Sequence, residues 1–225
     1  MDGDKMFLDR REAGSELAKL LAPAYKDKGA LILTIPRGGV VVGYEVAREL
    51  HAGLSVVITK KLPHPLQEEL AIGAVAEDGS LFLTSYARSL DPETIRHIID
   101  TQKKEIRSRI RRFRQGKPLP EMAGRITIIV DDGIATGSTI VPAIKLCKAR
   151  NAAKVIVAAP VSGVKYAKEI DELADEVIVA EQPHDFYAVG QVYVDFHHLS
   201  DKEVTDVLAA YEREVNGEQM YQRGK

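Results

Sequence analysis

Two adjacent aspartates stand where a run of branched apolar residues gives way to a loop of small and hydroxyl-bearing residues. The run is "ITIIV", the acids are Asp131 and Asp132, and the loop is "GIATGST", residues 133–139. Glycines leave loop N–H groups unhindered, and a helix N-terminus just beyond such a loop favours an anion. An ionised carboxylate only accepts hydrogen bonds, whereas a sugar diol can donate two. The pattern therefore indicates a ligand with both a phosphate and vicinal hydroxyls, a ribose phosphate.

A second candidate anion loop is "TIPRGG", residues 34–39, which also lies between an apolar run and a helical pattern. The guanidinium fork of Arg37 matches phosphate oxygens. Neither loop follows G-x-x-x-x-G-K-[ST] or G-x-G-x-x-G, and the chain has no G-x-S-x-G elbow, so the sequence does not indicate a nucleoside-triphosphate loop, a dinucleotide site or a serine hydrolase. The alternative for each loop is a turn with capping residues and, in the second, a solvated arginine.

Short β-branched runs alternate with helical patterns around these loops, which predicts a mostly parallel five-stranded sheet with helices on both faces. The predicted strands are residues 30–35, 54–59, 125–130, 154–159 and 176–180. The predicted helices are residues 8–25, 39–50, 138–150, 164–173 and 201–215. In an open α/β sheet, ligands bind beyond the carboxyl ends of the strands, which is where Asp131 stands.

Two segments interrupt the alternation within what we expect to be a single domain, residues 1–225. Residues 60–84 combine prolines with short apolar pieces around "EDGS", which predicts an extended loop leading into a small hairpin, a candidate flap. Residues 91–115 begin with "DP" and predict an added long helix. Its predicted apolar face consists of Ile95, Ile98, Ile99, Ile106, Ile110 and Phe113.

Composition narrows the class of protein. The 225 residues carry a formal net charge of -2, which argues against bulk electrostatic attraction to nucleic acid. The single cysteine, Cys147, lies on an apolar helix position and is predicted to be buried. Charges near the amino terminus replace the apolar stretch of a signal peptide, and no apolar run reaches the ~20 residues of a membrane span, so we expect a cytoplasmic protein without membrane contact.

The stretch "VDDGIATGST" resembles the phosphoribosyl-pyrophosphate (PRPP) signature of type I phosphoribosyltransferases. The resemblance implies that Asp131 and Asp132 hold the ribose hydroxyls. It also implies a Mg²⁺-dependent transfer of ribose 5-phosphate to a nitrogenous base with release of pyrophosphate, carried out by a homodimer. The residues implied to bind PRPP from the phosphate loop are Gly133, Ile134, Ala135, Thr136, Gly137, Ser138 and Thr139.

The resemblance extends to three further parts of the chain. Arg37, Gly38 and Gly39 would receive pyrophosphate, and Lys60 or Lys61 would meet it from the flap as a catalytic residue. "ELAIGAVAEDG" and "FYAVGQVYVDFHHLSDKEV" are similar to a subgroup of the family whose substrate is unassigned. Residues 181–199 would form part of the hood over the base. Its candidate stacking residues are Phe186, Tyr187, Tyr193 and Phe196.

The chain departs from the 6-oxopurine enzymes of the family at Ala135, where those enzymes usually carry an aspartate. A hypoxanthine- or guanine-type base is therefore disfavoured. The alternative hypothesis is a non-catalytic PRPP-binding regulator that contacts nucleic acid through the basic run "RSRIRRFRQGK". His184, His197 and His198 lie near the predicted hood, and we interpret them as structural or surface residues. We expect Mg²⁺ to be held mainly by ligand oxygens.

Overall fold

The computed structural model describes residues 6–223, without the side chains of residues 68, 69 and 218–223. The first half of the chain contains α1 (Arg10–Tyr25), β1 (Leu31–Thr34), α2 (Gly39–Leu50), β2 (Gly53–Val56), β3 (Thr59–His64), β4 (Gln67–Ala76), β5 (Leu81–Leu83), a 3-10 helix (Ser85–Ser89) and α3 (Pro92–Arg114). The second half contains β6 (Ile126–Val130), α4 (Ile140–Ala149), β7 (Lys154–Val161), α5 (Glu169–Leu173), β8 (Glu176–Glu181), a 3-10 helix (Val189–Val192) and α6 (Asp201–Arg223).

The predicted α/β fold is confirmed. Five parallel strands pair in the order β2-β1-β6-β7-β8. Alternate strand residues face opposite sides, so Ile32 and Ile128 pack against α1 and α2, while Leu33 and Ile129 pack against α4. The sheet is covered on both faces, as a parallel sheet requires. Cys147 is buried in the α4 side of this core, and burial raises its pKa to about 12.

The flap differs from the predicted loop and hairpin. Strands β3, β4 and β5 form a separate three-stranded antiparallel sheet. The second predicted strand, residues 54–59, is therefore divided, since β2 ends at Val56 and Thr59 begins β3. Leu62, Ile72 and Val75 of this flap sheet pack against Ile106 and Phe113, so added apolar surface from α3 supports strands where the sequence suggested a loop.

The predicted long helix is present, and its start follows the sequence signals. The Asp91 carboxylate accepts a hydrogen bond from Thr94 N at 2.9 Å, and Pro92 occupies the first helical position. The predicted apolar face is confirmed, because Ile106 and Phe113 are buried and the four other isoleucines pack against the same cluster.

Two predicted helices have different lengths in the structure. Helix α5 covers only Glu169–Leu173, because the preceding residues pass over the loop after β6, where Ala167 N donates to Thr136 O at 3.0 Å. Helix α6 continues past the predicted end at Val215 to Arg223. Among the described residues, no helix combines the length and the apolar character needed to cross a bilayer.

Candidate active site

The two predicted anion loops lie side by side because their strands are neighbours in the sheet. Thr34 of β1 pairs with Val130 of β6, so both chains leave the sheet at the same edge. The approach is close: a β-carbon added at Gly38 would lie 1.7 Å from Asp132 Oδ2. Only glycine fits there, so the "GG" of the first loop is needed for its contact with the acids. The Pro36–Arg37 peptide bond is cis.

Asp132 is held by a residue that the sequence analysis did not single out. Arg10, buried at the start of α1, donates from Nε to Asp132 Oδ2 at 2.8 Å and from Nη1 to His197 O at 3.0 Å. Its guanidinium lies 3.9 Å from the centre of the Phe196 ring. The Tyr193 hydroxyl donates to Asp132 O at 2.6 Å. Asp132 is therefore fixed in position and electrostatically paired.

Asp131 has a different environment although it is the next residue. Its Oδ1 accepts a hydrogen bond from Asp132 N at 2.9 Å, and the side chain has no ion pair with a cation among the described residues. Burial and the neighbouring Asp132 carboxylate raise the pKa of Asp131 well above its ordinary value. One carboxylate of the pair thus lacks a positive partner and can accept a cation or hydroxyl donors.

The loop after the acids presents a group of unused donors. Among the hydrogen bonds of the described residues, the N–H groups of Ala135, Thr136, Gly137 and Thr139 have no acceptor. The hydroxyls of Thr136 and Ser138 lie 2.9 Å apart at the same place. Helix α4 begins at Ile140, two residues later than predicted, and Thr139 makes no side-chain cap. Free amides, hydroxyls and a helix N-terminus together can bind an anion.

Other residues of this loop shape it. Ile134 is buried, its N–H donates to Val161 O at 2.8 Å, and its carbonyl accepts from Gly163 N at 3.1 Å. The Ile134 amide is therefore committed to the sheet edge and is not free for a ligand. Gly137 has φ +70°, a left-handed conformation that favours glycine. Gly133 lies against Val189 of the predicted hood, and the Ala135 side chain is exposed.

The predicted pyrophosphate cations lie on the first loop and on the flap sheet. Arg37 donates from Nε to Asp201 Oδ1 at 2.9 Å and from Nη1 to Leu199 O at 3.1 Å. Arg112 of α3 pairs with the same Asp201 carboxylate. Lys60 and Lys61 are adjacent on β3, where Lys60 is half-buried and Lys61 is exposed. Arg37 is thus paired with the first residue of α6. Lys60 lies close enough to Arg37 for their positive charges to repel each other.

The four hood aromatics separate into two groups. Tyr193 is buried, stacks on Phe196 with ring centres 4.9 Å apart, and lies 5.8 Å from Phe7. Both rings contribute to the packing that supports Arg10 and Asp132. Phe186 is partly buried against Gly163, and Tyr187 is 87% exposed. Only Phe186 and Tyr187 therefore stay available as predicted stacking residues.

The three histidines near the predicted hood, His184, His197 and His198, are exposed. The His197 ring lies 3.0 Å from Asp195 Oδ1 and 3.3 Å from Glu203 Oε1, and hydrogen bonds to these two carboxylates raise its pKa. Within residues 6–223, so far as their side chains are described, no group of three or more histidine, cysteine, aspartate or glutamate residues could hold a metal ion.

Paired acids and a donor-rich loop lie at the carboxyl edge of the parallel sheet, which is where open α/β sheets bind their ligands. A family model for the phosphoribosyl transferase domain matches residues 5–197, and the chain belongs to this family. Two curated relatives, from Mycobacterium tuberculosis strains CDC 1551 / Oshkosh and H37Rv, both carry the name "Putative phosphoribosyl transferase". Each is 41% identical over 207 residues, 91% of this chain and 46% of the relative. The chain thus spans less than half the length of these relatives.

Two solved structures are similar to this chain. The crystal structure of TT1426 from Thermus thermophilus is 37% identical, has a TM-score of 0.78 and covers 92% of this chain and 99% of that chain. A hypothetical protein from Neisseria gonorrhoeae, solved with bound ppGpp, is 15% identical with a TM-score of 0.51 and covers 93% of this chain and 98% of that chain. The second likeness concerns the fold alone.

Proposed function

We propose that this domain binds PRPP and transfers its ribose 5-phosphate to a nitrogenous acceptor with release of pyrophosphate. The observation that carries the proposal is the loop after β6, where four backbone amides without an acceptor among the described residues lie within the seven positions that follow two carboxylates. A sugar phosphate matches both halves of this arrangement. Membership in the phosphoribosyl transferase family supports the same ligand.

In this proposal each carboxylate has its own role. Asp131, which lacks a cation partner, accepts hydrogen bonds from the ribose hydroxyls, and Asp132 does so with the oxygen that Arg10 leaves free. The amides of Ala135, Thr136, Gly137 and Thr139 hold the 5-phosphate with the Thr136 and Ser138 hydroxyls. Gly133 and Ile134 shape the loop. Fixing the sugar at both ends orients its anomeric carbon, which lowers the entropic cost of the reaction.

The donor set also fits Mg²⁺. Asp131 is a desolvated oxygen ligand beside a second carboxylate, and hard cations prefer oxygen ligands while keeping several waters and substrate oxygens. When bound, Mg²⁺ neutralises negative charge on the pyrophosphate group. Asp131 and Asp132 would hold the ion from the protein side, with ligand oxygens completing its coordination.

The proposed transfer is dissociative. The bond between the anomeric carbon and the pyrophosphate oxygen breaks, the electron pair leaves with pyrophosphate, and the acceptor nitrogen then forms a bond to the same carbon. Arg37, the Gly38 and Gly39 region and one of the two flap lysines stabilise the departing charge. The flap and the hood exclude water from the cationic sugar, since water would otherwise intercept it. Phe186 and Tyr187 are the proposed stacking residues for the acceptor.

The alternative hypothesis of a nucleic-acid-binding regulator receives less support from the basic run. Its five arginines do not form one solvated face, because Arg112 pairs with Asp201 and Arg114 is buried against Glu77. Only Arg107 and Arg111 are exposed and without a partner among the described residues. A phosphate backbone contact needs several free cations on one surface.

The test is an assay of pyrophosphate release from PRPP with Mg²⁺ across a panel of adenine-type, pyrimidine and other nitrogenous acceptors. We expect one acceptor class to raise release above the PRPP-only rate, and an Asp131→Asn variant to lose roughly 10- to 100-fold of that rate, as for loss of a charged hydrogen bond. If the wild type binds PRPP but no acceptor raises release, the domain is a PRPP-binding regulator and the catalytic half of the proposal is wrong.

A further inference from the structure

Two half-buried cations, Lys60 and Arg109, lie near each other without an ion pair to any acid among the described residues. Lys60 lies on β3 of the flap sheet, and Arg109 lies on the long helix α3. Among the described residues, neither side chain makes a hydrogen bond or an ion pair. Arg37 of the first loop is close enough to repel both.

This arrangement is unfavourable in the absence of a ligand. Burial lowers the pKa of Lys60, and repulsion by Arg109 and Arg37 lowers it further. Burial and repulsion by Arg37 and Arg112 likewise lower the pKa of Arg109. Glu105 offsets part of the effect on both groups but bonds to neither. Buried like charges without a counter-ion cost free energy unless a ligand compensates them, so they mark a candidate functional site.

Arg109 and Asp132 line the same cavity. A cavity of about 370 Å³ is lined by Arg37, Arg109, Asp132 and Gly38, together with Arg10. An anion in this cavity would contact the guanidinium of Arg109 on one side and the first loop on the other. The Asp132 carboxylate on the wall suits a ligand that carries hydroxyl groups or a cation beside its negative charge.

The same geometry distinguishes the two flap lysines. Adjacent residues on a strand face opposite sides, so the side chains of Lys60 and Lys61 leave β3 in opposite directions. Lys60 lies with Arg109 and Arg37. Lys61 lines a different cavity, of about 820 Å³, which also contains Thr136, Ser138 and Tyr86. The two lysines therefore belong to different parts of the site.

We propose that Arg109, supplied by the long helix α3, acts with Lys60 to bind the pyrophosphate group of the phosphoribosyl donor. The inference rests on the proposed function and deepens it, because it assigns a pyrophosphate ligand outside the two loops and chooses Lys60 over Lys61. The guanidinium fork offers paired donors to phosphate oxygens. The long helix then has a role in the site as well as in supporting the flap sheet.

The test compares three ligands by calorimetry in the presence of Mg²⁺: PRPP, inorganic pyrophosphate and ribose 5-phosphate. The variants are Arg109→Gln, Lys60→Gln, Arg109→Lys and Lys61→Gln, with Arg111→Gln as the matched control. Arg111 lies on the same helix and is exposed. We expect Arg109→Gln and Lys60→Gln to weaken PRPP and pyrophosphate binding by roughly 10- to 100-fold each and to leave ribose 5-phosphate unchanged. Arg109→Lys should keep part of the affinity.

Thermal unfolding separates this role from a structural one. If Arg109 binds an anion, Arg109→Gln should keep or raise the thermal midpoint, because it removes one of several mutually repelling charges. A lower midpoint together with weaker ribose 5-phosphate binding would overturn the proposal, as would pyrophosphate binding equal to that of Arg111→Gln. If the wild type binds neither PRPP nor ribose 5-phosphate, the proposed function itself is wrong.

Discussion

Two arginines of helix α3, Arg114 and Arg109, lie in contrasting environments. Arg114 is buried and fully engaged: it donates to Glu77 Oε1 at 2.6 Å, to Glu77 Oε2 at 2.9 Å, to Val56 O at 2.9 Å and to Lys117 O at 3.2 Å. Arg109, about one and a half turns earlier on the helix, is half-buried and has no hydrogen-bond partner among the described residues. The protein supplies acceptors for the donors of Arg114, whereas the donors of Arg109 have no acceptor among the described residues.

The comparison teaches how to separate structural charges from functional ones. A buried charge that is paired and hydrogen-bonded stabilises the fold relative to its unpaired form, whereas a buried charge without a partner lowers stability until a ligand arrives. Asp132 and Asp131 repeat the contrast, since Arg10 pairs with the first and, among the described residues, no cation pairs with the second. Within the described part of the chain, Asp131, Lys60 and Arg109 therefore make no ion pair, and together these charges suit a ligand with both hydroxyl groups and phosphates.

The largest effect on stability should come from removing the guanidinium of Arg114, which pairs with Glu77. Arg114→Met leaves the Glu77 carboxylate, which is 7% exposed, buried without its cation. We expect a loss of about 3–5 kcal/mol in the free energy of unfolding, because an unpaired buried charge is strongly destabilising. Denaturant titration measures this loss.

Arg109→Met is the matched control on the same helix. It should change the free energy of unfolding by less than about 1 kcal/mol or raise it, since no ion pair is broken. A double Arg114→Met/Glu77→Gln variant should recover part of the loss, because it removes the orphaned charge. Equal losses for Arg114→Met and Arg109→Met would contradict the division between the two arginines.

A smaller effect of opposite sign is expected at Asp131. A carboxyl whose pKa is raised on folding contributes stability that is present below its unfolded pKa and is lost as the pH rises through its folded pKa. Asparagine does not ionise, so the Asp131→Asn variant does not lose this stability as the pH rises. The thermal midpoint of the variant should therefore exceed that of the wild type at neutral pH, and the difference should shrink as the pH falls.

Asp132→Asn provides the comparison for this prediction. It separates Arg10 from its carboxylate, an Nε–Oδ2 contact of 2.8 Å, and leaves a buried guanidinium without its acid. We expect this variant to be less stable than the wild type at neutral pH. Equal stability changes for Asp131→Asn and Asp132→Asn would show that the two acids have the same environment, contrary to the structure.

The predictable part of the fold is the part governed by local sequence pattern. Buried β-branched runs and alternating helices predicted the five-stranded sheet, and "DP" predicted the start of α3. The donor-rich loop after β6 could also be predicted, because its glycines, hydroxyls and acids are contiguous in sequence. These features depend on neighbours along the chain, so a sequence alone carries them.

The remainder depends on contacts between distant segments. Arg10 and Asp132 are 122 positions apart, and neither the "DRREAG" context of Arg10 nor its helix position signals the pairing. The flap strands appeared as a loop because their apolar partners lie on α3. Helix α5 is short because the residues before it contact the loop after β6, where Ala167 N donates a hydrogen bond to Thr136 O. Arg109 was visible only as part of a basic run, and its half-burial becomes apparent only once the flap sheet packs on the helix.

The most direct test of the central claim is calorimetry of PRPP with Mg²⁺ against the wild type and an Asp131→Asn/Asp132→Asn double variant, with Asp131→Asn alone as the variant expected to stay stable. We predict binding to the wild type and a loss of at least roughly 100-fold in the double variant, because two carboxylates lose charge-assisted hydrogen bonds. Failure of the folded wild type to bind PRPP, or undiminished binding by the folded double variant, would contradict the account.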